Sequence, residues 1–554
     1  MKLRFVTLVI CCVHLVFGSP AFAQTPADLV VRNAKVITMN NAAPSADGFA
    51  VSDSRFILVG SNQALVAYVG PSTRVIDLAG AVVLPGLIDA HLHGMPTYPA
   101  GHRLHRVDLR SATTNEMSVL VERLATQARV RPAGDWIVGF GYEDTVLGGH
   151  PDRRVLDRVS REHPVYIVHS SGHRAVANSL ALSMAGVADD VVDPPGGVYV
   201  RDLTGGLTGI LLETASAPLL AAQASTPSQQ ELMTGVESTL RRFSANGLTT
   251  VVDATPSRRA WLYPVYRALR DAGRLPVRVV AMVPMEMFEE IKLEDFHQDE
   301  WLSIGAVKVF HGNSLSGRTA WLSESYVGRP DDFGIPPARS QADLNALVQA
   351  IEKRGMQAAI HSNGDREIDM VLSAFEQLAS TPDHGGRRHR IEHASVMNAD
   401  LLQRAKRLGL VLALHSYVYE HGDKMEDYGA RRWDWMHAHR SALDLGIVVA
   451  GNSDYPVSAA EPMLRLQSLL TRRAKNGKVY GAKQRIGFME ALGTFTLGAA
   501  YSIFSEHDKG SIEPGKFADF VVVDRDPSTI AARRLSEVGI VSTWIAGQRI
   551  TPSG

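Results

Sequence analysis

Four histidines and one aspartate stand at or near the ends of apolar runs that have the composition of β-strands. They are His91, His93, His361, His393 and Asp454. Residues i and i+2 of a strand point to the same face, so His91 and His93 would converge on one point. Imidazoles and carboxylates are donors that suit zinc or a similar divalent ion. Each residue alone fits a hydrogen-bonded side chain near a core, but the whole set at strand ends predicts a metal site.

Lys308 lies inside the apolar run Gly305–Phe310, where a charged ammonium is costly. Burial lowers the pKa of a lysine, and its neutral amine can react with carbon dioxide to form a carbamate. A carbamate would present two oxygens that could bridge two cations. A lysine paired with a buried carboxylate is the alternative interpretation.

Eight apolar runs, joined by connections long enough for helices, would position these side chains. The runs are Ala81–His91, Thr249–Asp253, Val277–Val283, Gly305–Phe310, Gln357–His361, Arg390–His393, Leu410–His415 and Ile447–Asp454. This alternation predicts an α/β fold, a parallel (β/α)8 TIM-like barrel in which the C-terminal strand ends meet at one mouth. A doubly wound parallel sheet is the alternative that hydrophobic periodicity leaves open.

The regions outside these runs differ in character. Roughly 160 residues separate the first run from the second, more than one crossover helix requires, so we expect an inserted subdomain at about 110–235. Short β-rich segments, separated by Asn, Asp, Gly and Pro, occupy both ends of the chain at 24–82 and 510–554. They flank a predicted barrel region at 83–509.

The first 23 residues have the pattern of a secretory signal peptide. A basic start and a short apolar run lead to the small-x-small cleavage site Ala21-Phe22-Ala23. The apolar run is shorter than the roughly 20 residues that cross a bilayer. Cys11 and Cys12 lie in this segment, so the mature chain would have no disulfide and no cysteine ligand. We expect a periplasmic or secreted protein without membrane attachment after cleavage.

The composition excludes other classes of protein. With 57 Lys and Arg against 58 Asp and Glu, the formal net charge is -1, which provides no electrostatic footprint for nucleic acid. A hydrophobic content of 45% is ordinary for a globular protein and argues against a disordered chain.

An ordered set of motifs resembles the metal-dependent amidohydrolase superfamily, most closely amidohydrolase family 3, the branch that includes N-substituted formamide deformylases. The motifs are Leu84-Pro-Gly-Leu-Ile-Asp-Ala-His-Leu-His, Gly172-His-Arg-Ala-Val-Ala-Asn-Ser, Gly317-Arg-Thr-Ala, His361-Ser-Asn-Gly-Asp-Arg, Arg390-Ile-Glu-His, Gly451-Asn-Ser-Asp-Tyr-Pro-Val and Gly510-Ser-Ile-Glu-Pro-Gly-Lys-Phe-Ala-Asp-Phe-Val-Val-Val-Asp. The resemblance covers nearly the whole mature chain. It implies that the two chain ends combine into one composite β-sandwich beside the barrel.

The resemblance also implies roles for the candidate ligands. His91, His93 and Asp454 would hold the more buried of two metal ions, with zinc as the expected metal. His361 and His393 would hold the second, and carboxylated Lys308 would bridge the pair. Asp454 would take a proton from the attacking water and deliver it to the leaving nitrogen.

Four further residues are candidates for substrate contact. By the resemblance, His173 and Arg318 match positions that face the pocket, with structural support of the mouth as the alternative. Two departures from the family pattern put His311 where Asp is usual and His415 where Gln is common. These two imidazoles would either bind substrate or replace a hydrogen-bond partner.

The predicted function is hydrolysis of a non-peptide carbon–nitrogen bond in a small amide, formamide, carbamate or cyclic amide. A mononuclear deaminase or deacetylase of the same superfamily, with unmodified Lys308, is one alternative. A non-catalytic exported binding protein is the other, because fold does not imply function. The sequence leaves the oligomeric state open, a homo-oligomer included.

Overall fold

The computed structural model describes residues 25–99, 102–110, 113–223, 227–255, 257, 260–296, 298–380 and 386–550. The predicted signal peptide, residues 1–23, and both cysteines lie outside these ranges. Within them, no helix combines the length and apolar character needed to cross a membrane.

Short strands and one short helix precede the barrel. In chain order they are β1 (Leu29–Arg32), β2 (Lys35–Ile37), β3 (Ser45–Ala46), β4 (Gly48–Ser52), β5 (Arg55–Gly60), α1 (Asn62–Leu65), β6 (Arg74–Asp77) and β7 (Val82–Pro85).

The first barrel strand, β8 (Leu87–Leu92), is separated from β7 by Gly86 alone. The run that looks continuous in the sequence, Ala81–His91, therefore contains two strands that belong to two different sheets. A glycine is needed between them because a Cβ at this position would lie 2.3 Å from the Thr249 hydroxyl oxygen.

An inserted subdomain follows β8. Its elements are β9 (Val107–Asp108), α2 (Met117–Arg129), β10 (Ile137–Tyr142), α3 (Asp144–Leu147), α4 (Arg153–Asp157), β11 (Val165–His169), β12 (Arg174–Ala177), α5 (Ser179–Met184), β13 (Gly197–Arg201), β14 (Leu207–Glu213) and α6 (Ala217–Ala222). The strands form one mixed sheet in the order β13-β14-β12-β11-β10-β9. The pairs β9–β10 and β10–β11 are parallel, and the other pairs are antiparallel.

The chain then completes the barrel by alternating strands and helices. The elements are α7 (Gln229–Ala245), β15 (Leu248–Asp253), α8 (Tyr263–Asp271), β16 (Arg278–Pro284), β17 (Leu302–Phe310), α9 (Gln341–Lys353), β18 (Ala358–Ser362), α10 (Asp365–Ala379), β19 (Arg390–His393), α11 (Ala399–Arg407) and β20 (Val411–Ala413). In the described chain, seven strands pair in parallel in the order β8-β15-β16-β17-β18-β19-β20.

An extended segment at 448–454 occupies the eighth position between β20 and β8. The Ala450 amide donates to the Leu412 carbonyl at 2.9 Å, and the Ala90 amide donates to the Gly451 carbonyl at 3.1 Å. Because this segment bonds to both edge strands, it closes the ring. The predicted α/β fold with a TIM-like barrel is confirmed.

The remaining helices lie beside the barrel, and the last three strands join β7, β2 and β3 in one sheet. They are α12 (Val418–His421), α13 (Ala430–Trp433), α14 (His439–Asp444), α15 (Pro462–Thr471), α16 (Phe488–Gly493), α17 (Ala499–Ser502), β21 (Phe520–Val523), β22 (Ile540–Ile545) and β23 (Gln548–Ile550). One end sheet has the order β5-β4-β1-β6, and the other has the order β23-β22-β21-β7-β2-β3.

The two end sheets share an aromatic core. The Phe49 ring from the first sheet meets the Phe520 ring from the second with centroids 4.8 Å apart, and Phe520 stacks on Trp544 at 5.2 Å. Strands from both ends of the chain therefore build one sandwich, as the resemblance implied. A buried bidentate pair between Arg278 of β16 and Asp519, with N–O distances of 2.8 and 3.0 Å, ties this sandwich to the barrel.

Candidate metal centre

Two imidazoles and a carboxylate meet at the carboxyl end of β8. His91 and His93 lie two residues apart, and Asp454 ends the segment that closes the barrel. The Asp454 Oδ1 atom is 3.6 Å from His91 Nε2 and 3.3 Å from His93 Nε2. One ligand atom from each of the three residues lies within 4.8 Å of the other two. This spacing allows all three side chains to bind a single ion.

His393, at the end of β19, brings a third imidazole to the same carboxylate. Its Nδ1 atom is 4.0 Å from Asp454 Oδ2, and its ring centroid is 4.9 Å from that of His91. His393 and Asp454 both adopt positive φ angles, 69° and 51°, which are uncommon for residues with a side chain. Strained backbone of this kind persists where the surroundings enforce it and is frequent at functional sites.

His361, at the end of β18, lies beside His393 with ring centroids 4.6 Å apart. Its Nε2 lies 3.0 Å from the Asn313 carbonyl oxygen, which can only accept, and 3.1 Å from Nδ2 of Asn363, which can only donate. Both contacts engage Nε2, so Nδ1 is the ring nitrogen that could face an ion.

Lys308 lies beside His91 and is 2% exposed. Its Nζ atom is 3.2 Å from His91 Nε2 and 4.7 Å from the Phe310 ring centroid. The polar group in contact with the Lys308 ammonium is therefore the His91 imidazole. The alternative prediction was that this lysine pairs with a buried carboxylate. Burial lowers the pKa of Lys308 to about 8.

Glu392 and Arg390 are further functional candidates. Both belong to the motif Arg390-Ile-Glu-His, for which only His393 was predicted to have a role. The Nδ1 atom of His91 donates to a Glu392 carboxylate oxygen. Arg390 donates to the same carboxylate from Nε at 2.7 Å and from Nη2 at 2.9 Å, and both residues are fully buried. Although burial raises the pKa of Glu392, the Arg390 guanidinium and His91 lower it to about 2. The carboxylate thus fixes the His91 tautomer and leaves Nε2 as the nitrogen that could bind an ion.

These donors fit a divalent metal ion. Four imidazoles and a carboxylate converge, the Glu392 carboxylate fixes the tautomer of His91, and the lysine beside them is desolvated. Imidazole and carboxylate ligands suit zinc and other first-row divalent ions. One ligand atom each of His393, His415 and Asp454 also lies within 4.8 Å of the others. His415, predicted as a substrate candidate, is therefore a further candidate ligand.

A polar cavity opens beside this group. Its lining includes the imidazoles of His173, His361, His393 and His415, the carboxylate of Asp454, and several hydroxyl groups. Those hydroxyl groups belong to Ser171, Ser314, Ser316, Ser395 and Tyr417. A water molecule placed there would lie against His361, His393, His415 and Asp454.

The four predicted substrate residues occupy different positions. His173 and His415 line the cavity, and His415 Nε2 lies 3.0 Å from the Ser458 hydroxyl. Arg318 is engaged elsewhere, since it donates to Asp427 at 2.6 Å and to Asp144 at 3.2 Å. His311 is buried, and neither ring nitrogen has a hydrogen-bond partner among the described residues. Burial lowers the pKa of His311 to about 4. The structure thus brings two of the four to the cavity wall, and their roles stay predictions.

The chain is similar in sequence to one protein family and to known proteins over most of its length. The sequence profile of the amidohydrolase family matches residues 74–551. The chain is 29% identical over 544 residues to the Arabidopsis thaliana protein LONG AFTER FAR-RED 3, which covers 95% of this chain and 92% of that protein. It is 27% identical over 539 residues to N-substituted formamide deformylase from Arthrobacter pascens, which covers 94% and 97%.

A solved structure shares the fold. The crystal structure of an uncharacterized metal-dependent hydrolase from Pyrococcus horikoshii OT3 is similar to this chain with a TM-score of 0.71 and 25% sequence identity. The likeness covers 91% of this chain and 99% of that one, so it includes both the barrel and the end sheets.

We predict that Glu392→Gln weakens metal binding by about 10- to 100-fold, because the neutral amide no longer fixes the tautomer and basicity of His91. Competition between the protein and a fluorescent zinc indicator measures the affinity, and thermal unfolding reports whether the variant stays folded. Glu376→Gln, on the outer face of α10 where Glu376 pairs with Arg404, is the control and should bind metal as the wild type does. A folded Glu392→Gln variant with unchanged affinity would contradict the assignment.

Proposed function

The chain belongs to the amidohydrolase family and is a metal-dependent hydrolase, and from this premise we propose that it cleaves a non-peptide carbon–nitrogen bond in a small amide, formamide, carbamate or cyclic amide. The resemblance read from the sequence motifs is confirmed at the level of the family. The likeness to N-substituted formamide deformylase over 94% of the chain favours an acyclic formamide or amide within this group.

One observation carries the proposal: the imidazoles of His91, His93 and His393 surround the Asp454 carboxylate at the wall of a polar cavity. This places metal-binding donors and a proton-accepting group around the same small volume. A bound divalent metal lowers the pKa of water and polarises a carbonyl oxygen. These are the two requirements for adding water to an unreactive amide carbon.

Asp454 is the proposed proton carrier. Its carboxylate lines the cavity and lies between the imidazoles, so it can accept a proton from the water that attacks the carbonyl carbon. The same proton then passes to the leaving nitrogen as the carbon–nitrogen bond breaks. The products are a carboxylic acid and an amine, and Asp454 returns to its starting state.

We predict metal-dependent turnover of at least one member of a small substrate panel. The panel contains formanilide, N-butylformamide, acetanilide, a phenyl carbamate and dihydrouracil, with a dipeptide and adenine as contrasting classes. Liquid chromatography detects the products before and after treatment with a chelator. Asp454→Asn should lose about 10²- to 10⁴-fold in kcat, whereas Asp369→Asn on the exposed face of α10 should retain activity.

Two outcomes would count against the proposal. Turnover of adenine or the dipeptide without turnover of the amides would assign a different reaction within the family. Absence of metal-dependent turnover across the whole panel would favour the non-catalytic alternative.

We further propose that the site holds two zinc ions bridged by carboxylated Lys308. The support is geometric, because the Nζ atom of Lys308 lies 3.2 Å from Nε2 of His91, the nitrogen proposed to bind an ion. Its lowered pKa provides a larger fraction of the neutral amine that reacts with carbon dioxide. The protein would hold one ion through His91, His93 and Asp454 and the other through His361 and His393.

The metal content of protein purified with zinc and bicarbonate tests this arrangement. We expect close to two zinc ions per chain in the wild type and one or fewer in Lys308→Ala, because the variant loses the bridging oxygens. Lys353→Ala at the end of α9 is the control and should bind as the wild type does. One ion in both the wild type and Lys308→Ala would favour the mononuclear alternative with an unmodified lysine.

Export to the periplasm or the medium is also a proposal, because residues 1–23 lie outside the described structure. The basic start, short apolar run and small-x-small site of the sequence support it. We predict that mature protein expressed from the full-length sequence in a Gram-negative host begins at Gln24, which N-terminal sequencing of the periplasmic fraction measures. Intact protein retained in the cytoplasm would contradict export.

A further inference from the structure

The cavity has one imidazole that the barrel does not supply. His173 belongs to the inserted subdomain and precedes β12 directly. Its ring stacks on the His361 ring, with centroids 5.2 Å apart and an interplanar angle of 29°, and it lines the cavity that Asp454 also lines. The insertion therefore forms part of the wall that faces the candidate metal ligands.

Glu213 fixes the orientation of this imidazole. The Nδ1 atom of His173 donates to Glu213 Oε2 at 2.6 Å, and the Glu213 amide donates to the His173 carbonyl oxygen at 2.9 Å. The Glu213 side chain is 7% exposed, so this carboxylate is largely withdrawn from water. Because Nδ1 is bonded to Glu213, Nε2 is the ring nitrogen left to interact with a molecule in the cavity.

The backbone of Glu213 is strained. Its φ and ψ angles are 51° and -123°, a combination that residues with a side chain rarely adopt. Such strain persists only when surrounding contacts enforce it, and it is concentrated at binding and catalytic sites. His393 and Asp454, two of the candidate ligands, also have positive φ.

A hydroxyl group of the barrel holds the other Glu213 oxygen. Thr319 lies in the connection after β17, and its hydroxyl donates to Glu213 Oε1. The same Thr319 oxygen accepts the Ser314 amide at 3.0 Å, and Ser314 lines the cavity. The carboxylate thus bridges an imidazole of the insertion and a loop of the barrel, both beside the candidate metal centre.

The resemblance already suggested His173 for substrate contact, and we propose that Glu213, held by the Thr319 hydroxyl, is the residue that positions the His173 imidazole for it. The inference rests on the proposed hydrolase function and deepens it, because it makes the inserted subdomain part of the substrate-binding site. Glu213 acts through His173 rather than on the substrate, since both of its carboxylate oxygens are already bonded.

A double-mutant cycle separates positioning from general structural support. Kinetics are measured on the best substrate of the panel for Glu213→Gln, His173→Asn and the double variant. Each single variant should lose roughly 10- to 100-fold in kcat/KM, the effect expected when a strong hydrogen bond is lost or misplaced. In the His173→Asn background, Glu213→Gln should cost little more, because the residue it positions is gone.

Substitutions of Thr319 test whether its hydroxyl group is needed to hold Glu213. Thr319→Ser keeps the donor and should retain activity, whereas Thr319→Val has a similar shape and should lose activity in the manner of Glu213→Gln. Glu237→Gln is the matched control, because Glu237 is a similarly buried glutamate that pairs with Arg241 and Arg274 away from the cavity. Thermal unfolding and zinc content should stay at wild-type values in all of these variants.

A binding measurement keeps the test independent of turnover. Acetohydroxamate, a metal-chelating amide analogue, is titrated into the zinc-loaded proteins by calorimetry. Weaker binding in both His173→Asn and Glu213→Gln, by roughly tenfold or more, is the expected result. If no panel amide is hydrolysed but this weakening is observed, the proposed function fails while the His173 contact stands.

Other results would overturn the inference. Three results would each show that Glu213 does not act through His173. The first is additive losses in the double variant, and the second is equal activity of Thr319→Val and the wild type. The third is unchanged hydroxamate affinity in an enzyme that hydrolyses amides. Loss of zinc or of thermal stability in Glu213→Gln would instead assign the carboxylate a purely structural role.

Discussion

Burial of charge at the mouth of the barrel is the constraint on which the rest of the site depends. Lys308 of β17 and the pair Arg390 and Glu392 of β19 are removed from water on two strands that are separated only by β18. Unpaired charges in such a place are strongly unfavourable, so each group must have a partner or a shifted pKa. Arg390 and Glu392 neutralise each other, and this pair in turn orients His91. The orientation of the His91 ring therefore depends on how the buried charges of Arg390 and Glu392 are compensated, as well as on its position at the end of β8.

A second set of buried charges connects the insertion to the barrel. Asp144, at the start of α3, accepts from Lys424 at 2.5 Å and from Arg318 at 3.2 Å, and both donors lie in barrel loops. Asp144, Glu143 and His169 together offer a metal-like donor set, but the Lys424 ammonium already contacts its carboxylates. Because the Lys424 ammonium takes the place that a metal ion would need, this cluster joins the insertion to the barrel and has a structural role. The contact with Asp144 engages the Arg318 guanidinium, which the resemblance suggested for substrate contact and which is not among the residues that line the cavity.

The sequence predicted which side chains come together where the prediction depended on residue type at the end of a strand. His91, His93, His361, His393 and Asp454 could be located because apolar strands are short and end in recognisable polar residues. Partners far apart in the chain could not be predicted in the same way. Glu392 is 301 residues from His91, and Glu213 is 40 residues from His173, so no local pattern joins either pair. The division of Ala81–His91 at Gly86 depends on the position of Thr249 in space, which hydrophobic periodicity does not encode.

The pairing of β7 with β21 has a consequence for the order of events during biosynthesis. Val83 of β7 lies opposite Val522 of β21, so β7 lacks one of its two neighbouring strands until the ribosome has synthesised all the barrel strands and reached β21. Contacts of such long sequence separation form slowly because loop closure precedes any gain from them. Until then β7 presents an unpaired, apolar strand edge, the kind of surface that chaperones shield from aggregation. The sandwich can therefore be completed only after the barrel strands have been synthesised.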